Sequence, residues 1–334
     1  ELLQRMADLD QPEEQFSPLL EWSVRQRSSM GCTLAAKIIK KWNVECTREA
    51  LIEFILESQP IEEGKKEGQR FLRIICRLFS SLSYEGLITY DHIINRLITL
   101  GYQSFDQLPK ETDDYNLGML IKNLPIVGDP RGYRNRRSFL YGYNSDLVDE
   151  EVEENKIFTR IIGLLNRLFC TNFDEWSIPL NEGNTNELKM IINSMEKSQS
   201  HFSIHRLVER TGNVLLGSIR DIGLLHNRIV VNKSVSVPRL AAIQVTVQLM
   251  NLSVDSTLIA RFLYSCLPYL HDVMMISPCL SIFCSSFILT LLSRSFQSHL
   301  SFAVSGLWPM IKKSVTEMIS YMCPSHWQTK LLAN

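Results

Sequence analysis

The chain has 334 residues and a formal net charge of -1 at pH 7, with 35 Lys and Arg against 36 Asp and Glu. Hydrophobic residues make up 45% of it and charged residues 21%, which is typical of a folded globular protein and excludes a disordered or collagen-like chain. Because the chain is nearly neutral, it has no global positive field, and any contact with nucleic acid must be local.

The cysteines indicate the compartment. Eight are scattered through apolar stretches with no CxxC pair, namely Cys32, Cys46, Cys76, Cys170, Cys266, Cys279, Cys284 and Cys323. This predicts reduced, core-packing cysteines in an intracellular protein. We interpret the two sequons at Asn232 and Asn251 as chance matches. The first 15 residues lack the apolar core of a secretory leader, and we expect the chain to be a fragment of a longer protein.

The predicted helices begin near the N-terminus. The first is expected over Pro18–Met30, capped by Ser17 and stopped by Gly31, with Trp22 in the core beside Leu19. Thr33 then caps a second helix with apolar residues at 34, 38, 39 and 42, and Thr47 opens a third. A polar loop at 62–68 precedes helices centred on 71–82 and 93–98, the latter ended by Gly101. Residues 1–102 therefore form a predicted N-terminal helical domain.

The periodicity fails over residues 103–155, which contain three prolines, several glycines, and a basic followed by an acidic cluster, and which we interpret as an irregular loop or linker. A second helical domain is predicted over 156–334. Its helices are expected at 156–169, 186–197, 203–217, 238–252, 255–270, 278–295 and 298–322, with an extended loop at 228–237. No fixed-length repeat is visible, so the predicted fold class is all-α, an irregular HEAT-like helical-repeat array.

One predicted helix raises the question of a membrane. Residues 273–293 carry no charge and are long enough to span a bilayer. Pro278 and several Ser and Thr residues dilute the hydrophobicity, so a helix buried in the protein is the favoured interpretation.

No catalytic signature is present: the chain has no glycine-rich phosphate loop, HExxH, GxSxG or paired CxxC arrangement. His201 and His205 are spaced for one helical face and for a metal, but Glu209 is the only ligand-type residue nearby, so solvated or capping roles are favoured. We therefore expect no catalytic residues, no cofactor and no metal, and we predict that the chain is not an enzyme.

The candidate interaction residues are Arg131, Tyr133, Arg134, Arg136 and Arg137, which lie within seven residues of sequence. Such a cluster binds an acidic protein partner, or single-stranded nucleic acid through stacking and phosphate contacts, or is a solvated loop paired with the acids at 149–154, within the acidic run from Asp146 to Glu154. Of the two binding roles, protein contact is favoured. The runner-up function is a nucleic-acid-binding helical adaptor that uses the 131–137 basic loop.

The N-terminal helices carry a resemblance. Residues 19–42 resemble the leucine-cysteine-glutamate-tryptophan motif that names a domain of the twelfth Mediator subunit family: Leu20, Glu21, Trp22 and Val24 match, and Ser23 replaces a small alanine. Residues 50–60, 69–100 and 139–143 are similar to the segments that follow in that family. In order, the resemblance covers roughly residues 18–170.

The resemblance implies a central helical fragment of a fungal-type member of this family. It implies a nuclear, non-catalytic scaffold of the Mediator kinase module that regulates RNA polymerase II transcription. The expected partners are a cyclin-dependent kinase, cyclin C and the thirteenth Mediator subunit, with no membrane and no direct nucleic acid. In that family the kinase-activating segment precedes this domain, so no activating residue is assigned here.

Overall fold

The computed structural model describes residues 12–42, 47–58, 65–108, 116–127, 130–142, 149–171, 175–176, 178–226, 237–255, 257–259, 261–263, 265–266 and 269. These residues are mostly helical, which confirms the all-α prediction. The helices are α1 (Pro12–Arg25), α2 (Ser29–Trp42), α3 (Thr47–Glu57), α4 (Lys65–Tyr84), α5 (Tyr90–Thr99), a 3-10 turn (Phe105–Gln107), α6 (Leu117–Asn123), α7 (Pro130–Tyr141), α8 (Asp149–Asn166), α9 (Glu182–Ser198), α10 (His201–His226) and α11 (Leu240–Met250). Two short strands, β1 (Phe169–Cys170) and β2 (Val237–Pro238), pair antiparallel.

The junction between α1 and α2 differs from the prediction. Pro18 lies inside α1, and Gly31 lies inside α2 instead of stopping the first helix. The break falls at Arg27, whose φ of 51° is left-handed and ends the helical path. The Ser28 hydroxyl accepts a hydrogen bond from the Gly31 N–H at 3.1 Å, so Ser28, not Thr33, caps α2.

The next three helices follow the apolar pattern. α3 begins at Thr47, as predicted, and α5 ends just before Gly101, whose φ of 97° suits the residue after a helix. At the start of α5, the Thr89 N–H donates to Nδ1 of His92 at 3.1 Å. α4 begins at Lys65, so part of the loop predicted at 62–68 is helical.

The prediction of an irregular loop over 103–155 is wrong for the residues described. This segment contains the 3-10 turn, α6, α7 and the first turns of α8. Asn116 caps α6 by accepting from the Met119 N–H at 2.8 Å. The acidic run at 149–154 opens α8, where negative side chains interact favourably with the helix dipole.

The chain divides into two compact units, and neither matches the predicted domains. Unit 1 comprises residues 1–161, 189–209 and 249–256. In it, α2 packs on α1 and α4, and α5 packs on α3 and α7. Its core is one apolar cluster that runs from Phe16 to Leu140 and includes Phe202 and Val254 from the later segments.

Trp22 is not a core residue, contrary to the prediction. Its side chain is 40% exposed, whereas Leu19, Leu20 and Val24 are buried. With 100° between successive residues, these three and Phe16 define one side of α1, and Trp22 lies well away from it. The buried position next to it is Ser23, whose hydroxyl donates to the Leu20 carbonyl at 2.7 Å.

Unit 2 comprises residues 162–188, 210–248 and 257–334. Trp176 is fully buried, and its indole N–H lies 3.4 Å from the Tyr269 hydroxyl, which donates to the Pro238 carbonyl at 2.9 Å. Arg239 pairs with Glu175 beside this contact. The loop predicted at 228–237 is described only at Val237, which pairs with Cys170.

Other predictions are tested in part. Cys32, Cys76, Cys170 and Cys266 are buried free thiols, as predicted for the core, and burial raises the pKa of Cys32 and of Cys266 to about 12. The other four cysteines, the uncharged stretch at 273–293 and the helices predicted at 278–295 and 298–322 lie outside the described residues. Within the described part of the chain, no helix is long and apolar enough to cross a membrane.

Candidate functional site

The five candidate interaction residues lie on a helix, α7, and not in a loop. Because Arg131 and Arg134 are three residues apart, they share one face, and both are exposed. Arg136 is on the opposite side and only 4% exposed, while Tyr133 and Arg137 are half-buried. The structure therefore splits the predicted cluster into an outward pair and an inward set.

Arg136 is the centre of the inward set. Its Nη2 donates to the Lys122 carbonyl at 2.9 Å and lies 3.4 Å from Oε1 of Glu150. The guanidinium carbon is 3.5 Å from the centroid of the Phe202 ring, a stacking contact between a cation and an aromatic face. These contacts join α7 to three other helices, so Arg136 is part of the packed fold and not a solvated surface charge.

Glu150, in the first turn of α8, collects most of the donors around Arg136. Its Oε1 accepts from the Ser203 hydroxyl at 2.7 Å and from the Ser200 hydroxyl at 3.1 Å, and its Oε2 accepts from Tyr141. Burial by itself would raise the pKa of this carboxyl, but Arg136 and the three hydroxyl donors outweigh it and hold the pKa below 4.5. Glu150 is thus a charged, satisfied acceptor. We call the following residues the Arg136–Glu150 cluster: Arg136, Tyr141, Glu150, Ser200, Phe202 and Ser203.

Tyr133 is engaged on its ring and on its hydroxyl. The ring lies 5.7 Å from that of Phe202, centroid to centroid, and the Arg206 guanidinium lies over it at 5.7 Å. The hydroxyl donates to the Ile126 carbonyl at 3.3 Å and lies 3.4 Å from Oε2 of Glu209. Burial and the neighbouring Glu209 raise the pKa of this phenol. Since the ring is packed, it is not placed to stack on a nucleic-acid base, and the nucleic-acid interpretation loses its aromatic element.

Further ion pairs extend from the cluster along α8 and α10. Arg137 donates from Nε to Oε1 of Glu151 at 3.1 Å, and Arg206 lies 3.4 Å from Oε1 of the buried Glu154. The alternative that pairs the arginines with the acidic run therefore identified the correct partners for Arg136 and Arg137. It missed their burial, because it placed them in a solvated loop.

The two candidate metal-type histidines have separate surroundings. His205 is fully buried, with Nδ1 3.1 Å from the Ser253 hydroxyl and Nε2 3.9 Å from Oε2 of Glu209, so its predicted solvated or capping role is wrong. His201 opens α10, and burial with nearby Arg73 and Arg77 lowers the pKa of its imidazole to about 4. Among the residues described, no group of three or more His, Cys, Asp or Glu is arranged to hold a metal ion.

Four residues of the site are not predicted by the sequence pattern, and they come from the start of α10 and the residue before it: Ser200, Phe202, Ser203 and Arg206. The available signal was the start of α10 after Ser200, a residue type that commonly caps helices. Its hydroxyl does accept from the Ser203 N–H at 3.1 Å. Nothing in the local pattern predicts that this helix start lies against α7 and α8.

Comparisons with protein families, with curated proteins and with solved structures find no match to this chain.

Proposed function

We propose that this chain is a non-catalytic scaffold subunit of the Mediator kinase module. In this proposal it links a cyclin-dependent kinase and cyclin C to the thirteenth Mediator subunit and so regulates transcription by RNA polymerase II in the nucleus. Its helices are proposed to form an irregular HEAT-like array. Such an array buries one side of each helix and presents adjacent helices and loops to partners.

The observation that carries the proposal is the ordered resemblance of residues 18–170 to the twelfth Mediator subunit family. The structure adds a physical division within the first motif. Leu20 and Val24 pack in the core of unit 1, whereas Trp22 is 40% exposed. An exposed tryptophan is the residue type most favoured at the energetic centre of protein interfaces. This supports a motif with one side for folding and one for a partner.

The charged residues support a scaffold in a second way. The Arg136–Glu150 cluster pairs the guanidinium with the carboxylate, leaves only Nε of Arg136 without a hydrogen-bond partner among the described residues, and joins α6, α7, α8 and α10, so its role is to hold helices together. On the other side of α7, the side chains of Arg131 and Arg134 are exposed. We propose this pair as the docking face for an acidic partner, because exposed charges speed association and select partners.

Affinity purification of the tagged chain from cells, read by mass spectrometry, tests the assignment. The kinase, cyclin C and the thirteenth Mediator subunit should co-purify with it. A matched purification of a Trp22→Ala variant separates specific capture from background, since that side chain is exposed. Recovery of transport factors or ribosomal proteins without kinase-module subunits contradicts the proposal.

Salt-dependent binding of single-stranded RNA tests the runner-up. Under the scaffold proposal, binding of RNA should be weak and no different in an Arg131→Glu/Arg134→Glu variant. Tight binding that falls steeply with salt and is lost in this variant would favour the nucleic-acid-binding adaptor.

A further inference from the structure

A cleft in unit 1 lies between α4 and the start of α10, and neither Arg131 nor Arg134 lines it. Its volume is about 460 Å³, within the usual range of small-ligand pockets. Lys66, Arg70 and Arg73 line one wall, and Glu196 and His201 belong to the other. Three positively charged side chains on one wall of the cleft therefore face one carboxylate on the other.

The cations lie on one side of α4 because their spacing of four and three residues matches the helical period. All three are exposed, so they are available to a ligand. Glu67, the nearest acid on α4, is held by Arg27 at 2.6 Å and lies 3.9 Å from Arg70. Within the described residues, no ion pair engages Lys66 or Arg73. The positive charge of this wall is thus largely unneutralised.

The opposite wall adds a half-buried imidazole and a helix N-terminus. The His201 backbone N–H donates to Oδ1 of Asn123 at 2.9 Å, and Nδ1 of its ring is buried with no hydrogen-bond partner among the described residues. The charged groups that act on the ring are Arg73 and Arg77 from α4. Glu196 from α9 lines the same cleft. The imidazole is therefore neutral at pH 7, and the positive end of the α10 dipole points toward the cleft.

We propose that this cleft binds a phosphate ester, with the phosphate between Lys66, Arg70 and Arg73 and the attached group against the apolar lining. Two guanidinium groups match the geometry of phosphate oxygens, and a lysine adds a compact charge. Met119 and Leu252, which are half-buried, line the same cleft and offer contact to an apolar carrier. The site is independent of the proposed scaffold function and can exist without it.

The imidazole of His201 reports on occupancy. Its pKa is low because of burial and of the two neighbouring guanidinium groups. A phosphate that neutralises those groups should raise the pKa by about one unit or more. The measurement is a pH titration of the His201 ring signals of the full chain by NMR, with and without millimolar inorganic phosphate. An unchanged pKa overturns the proposal.

Two double variants distinguish binding in the cleft from a general effect of positive charge on the protein surface. Lys66→Gln/Arg73→Gln should weaken phosphate binding at least about tenfold, because it removes two of the three cations. Arg25→Gln/Lys40→Gln is the matched control: it removes the same charge from side chains that are 66% and 55% exposed elsewhere in unit 1. All of these residues are exposed, so the helical circular dichroism should not change. Equal weakening by both variants contradicts a built site.

The carrier of the phosphate is identified by two further probes. Adenosine 5′-monophosphate represents a free small molecule, and a phosphoserine peptide with apolar flanking residues represents a modified protein. Either should bind more tightly than inorganic phosphate and should lose this advantage when dephosphorylated, and the tighter of the two indicates the source. If neither probe binds more tightly than inorganic phosphate, the apolar part of the proposal is wrong.

Discussion

Replacing Arg136 by Met removes the guanidinium from the Arg136–Glu150 cluster while it keeps most of the side-chain volume. Three contacts are lost together: the bond to the Lys122 carbonyl at 2.9 Å, the pairing with Glu150 at 3.4 Å and the stacking on Phe202 at 3.5 Å. Because Arg136 is only 4% exposed, water cannot replace these contacts without opening the packing of α7.

The magnitude follows from what is left behind. Removing one partner of a buried ion pair costs about 3–5 kcal/mol, because the remaining charge stays buried. Glu150 is 24% exposed and keeps its bonds from Ser200, Ser203 and Tyr141. Because these donors continue to stabilise the carboxylate, we expect Arg136→Met to lower the free energy of unfolding by an amount at the lower end of this range, about 3 kcal/mol.

Urea-induced unfolding followed by far-ultraviolet circular dichroism measures this loss. Arg134→Met is the matched control, because it makes the same change two residues away on the exposed face and should alter the free energy of unfolding by less than about 0.5 kcal/mol. Adding Glu150→Gln to Arg136→Met should cost less than the sum of the two single changes, since the residues share one interaction. If Arg136→Met and Arg134→Met unfold at the same urea concentration, or the two changes are additive, the cluster does not stabilise the fold as argued.

Three further outcomes are expected. Leu20→Ala should lower the free energy of unfolding by about 2–5 kcal/mol, whereas Trp22→Ala should lower it by only about 1 kcal/mol, and equal midpoints in urea would place the tryptophan in the core. Arg131→Glu/Arg134→Glu should leave the melting temperature within a few degrees of the parent while it weakens capture of the acidic partner in pull-down assays; undiminished capture would remove the docking face. The pKa of His201 is lowered from 6.5 to about 4 in the folded state, so between these pH values the unfolded chain binds a proton that the folded chain does not. The full stability is therefore present above pH 6.5, and about 3 kcal/mol of it is lost as the pH falls from 6.5 to about 4. The stability of the parent relative to His201→Gln, measured by urea unfolding at pH 7 and pH 4, should fall accordingly, and a difference independent of pH would contradict this.

The sequence predicted helices well where the buried side is apolar. The stripe from Phe71 to Leu82 and the stop at Gly101 both match α4 and α5. The prediction is wrong at Pro18: proline favours the first turn of a helix and so predicts a helix start there, but α1 begins at Pro12. The predicted helix end is also wrong, because the helix breaks at Arg27 and an arginine side chain gives no indication of a left-handed backbone conformation.

Only part of the candidate site could be predicted from the sequence, for a related reason. A buried face is recognised by its apolar residues, and the inward side of α7 carries Tyr133, Arg136 and Arg137 along with Phe139 and Leu140. Charged residues at buried positions hide the helical period, so the sequence pattern of this segment predicts a loop. Their partners in the acidic run were suggested by proximity in sequence. The contribution of α10 depends on tertiary packing, which local patterns do not contain.

Unit 1 draws its residues from widely separated parts of the chain, and this has a consequence for synthesis on the ribosome. Phe202 and Val254 belong to the same core as residues 16–140. Two of the hydroxyl groups that donate hydrogen bonds to Glu150 come from residues 200 and 203. A nascent chain that has emerged only as far as residue 161 therefore lacks these later residues, and part of the apolar surface of unit 1 is uncovered. Contacts of such long sequence separation form late and fold slowly. Expression of truncated chains should end beyond residue 256, because shorter products expose this surface and are substrates for chaperones and proteases.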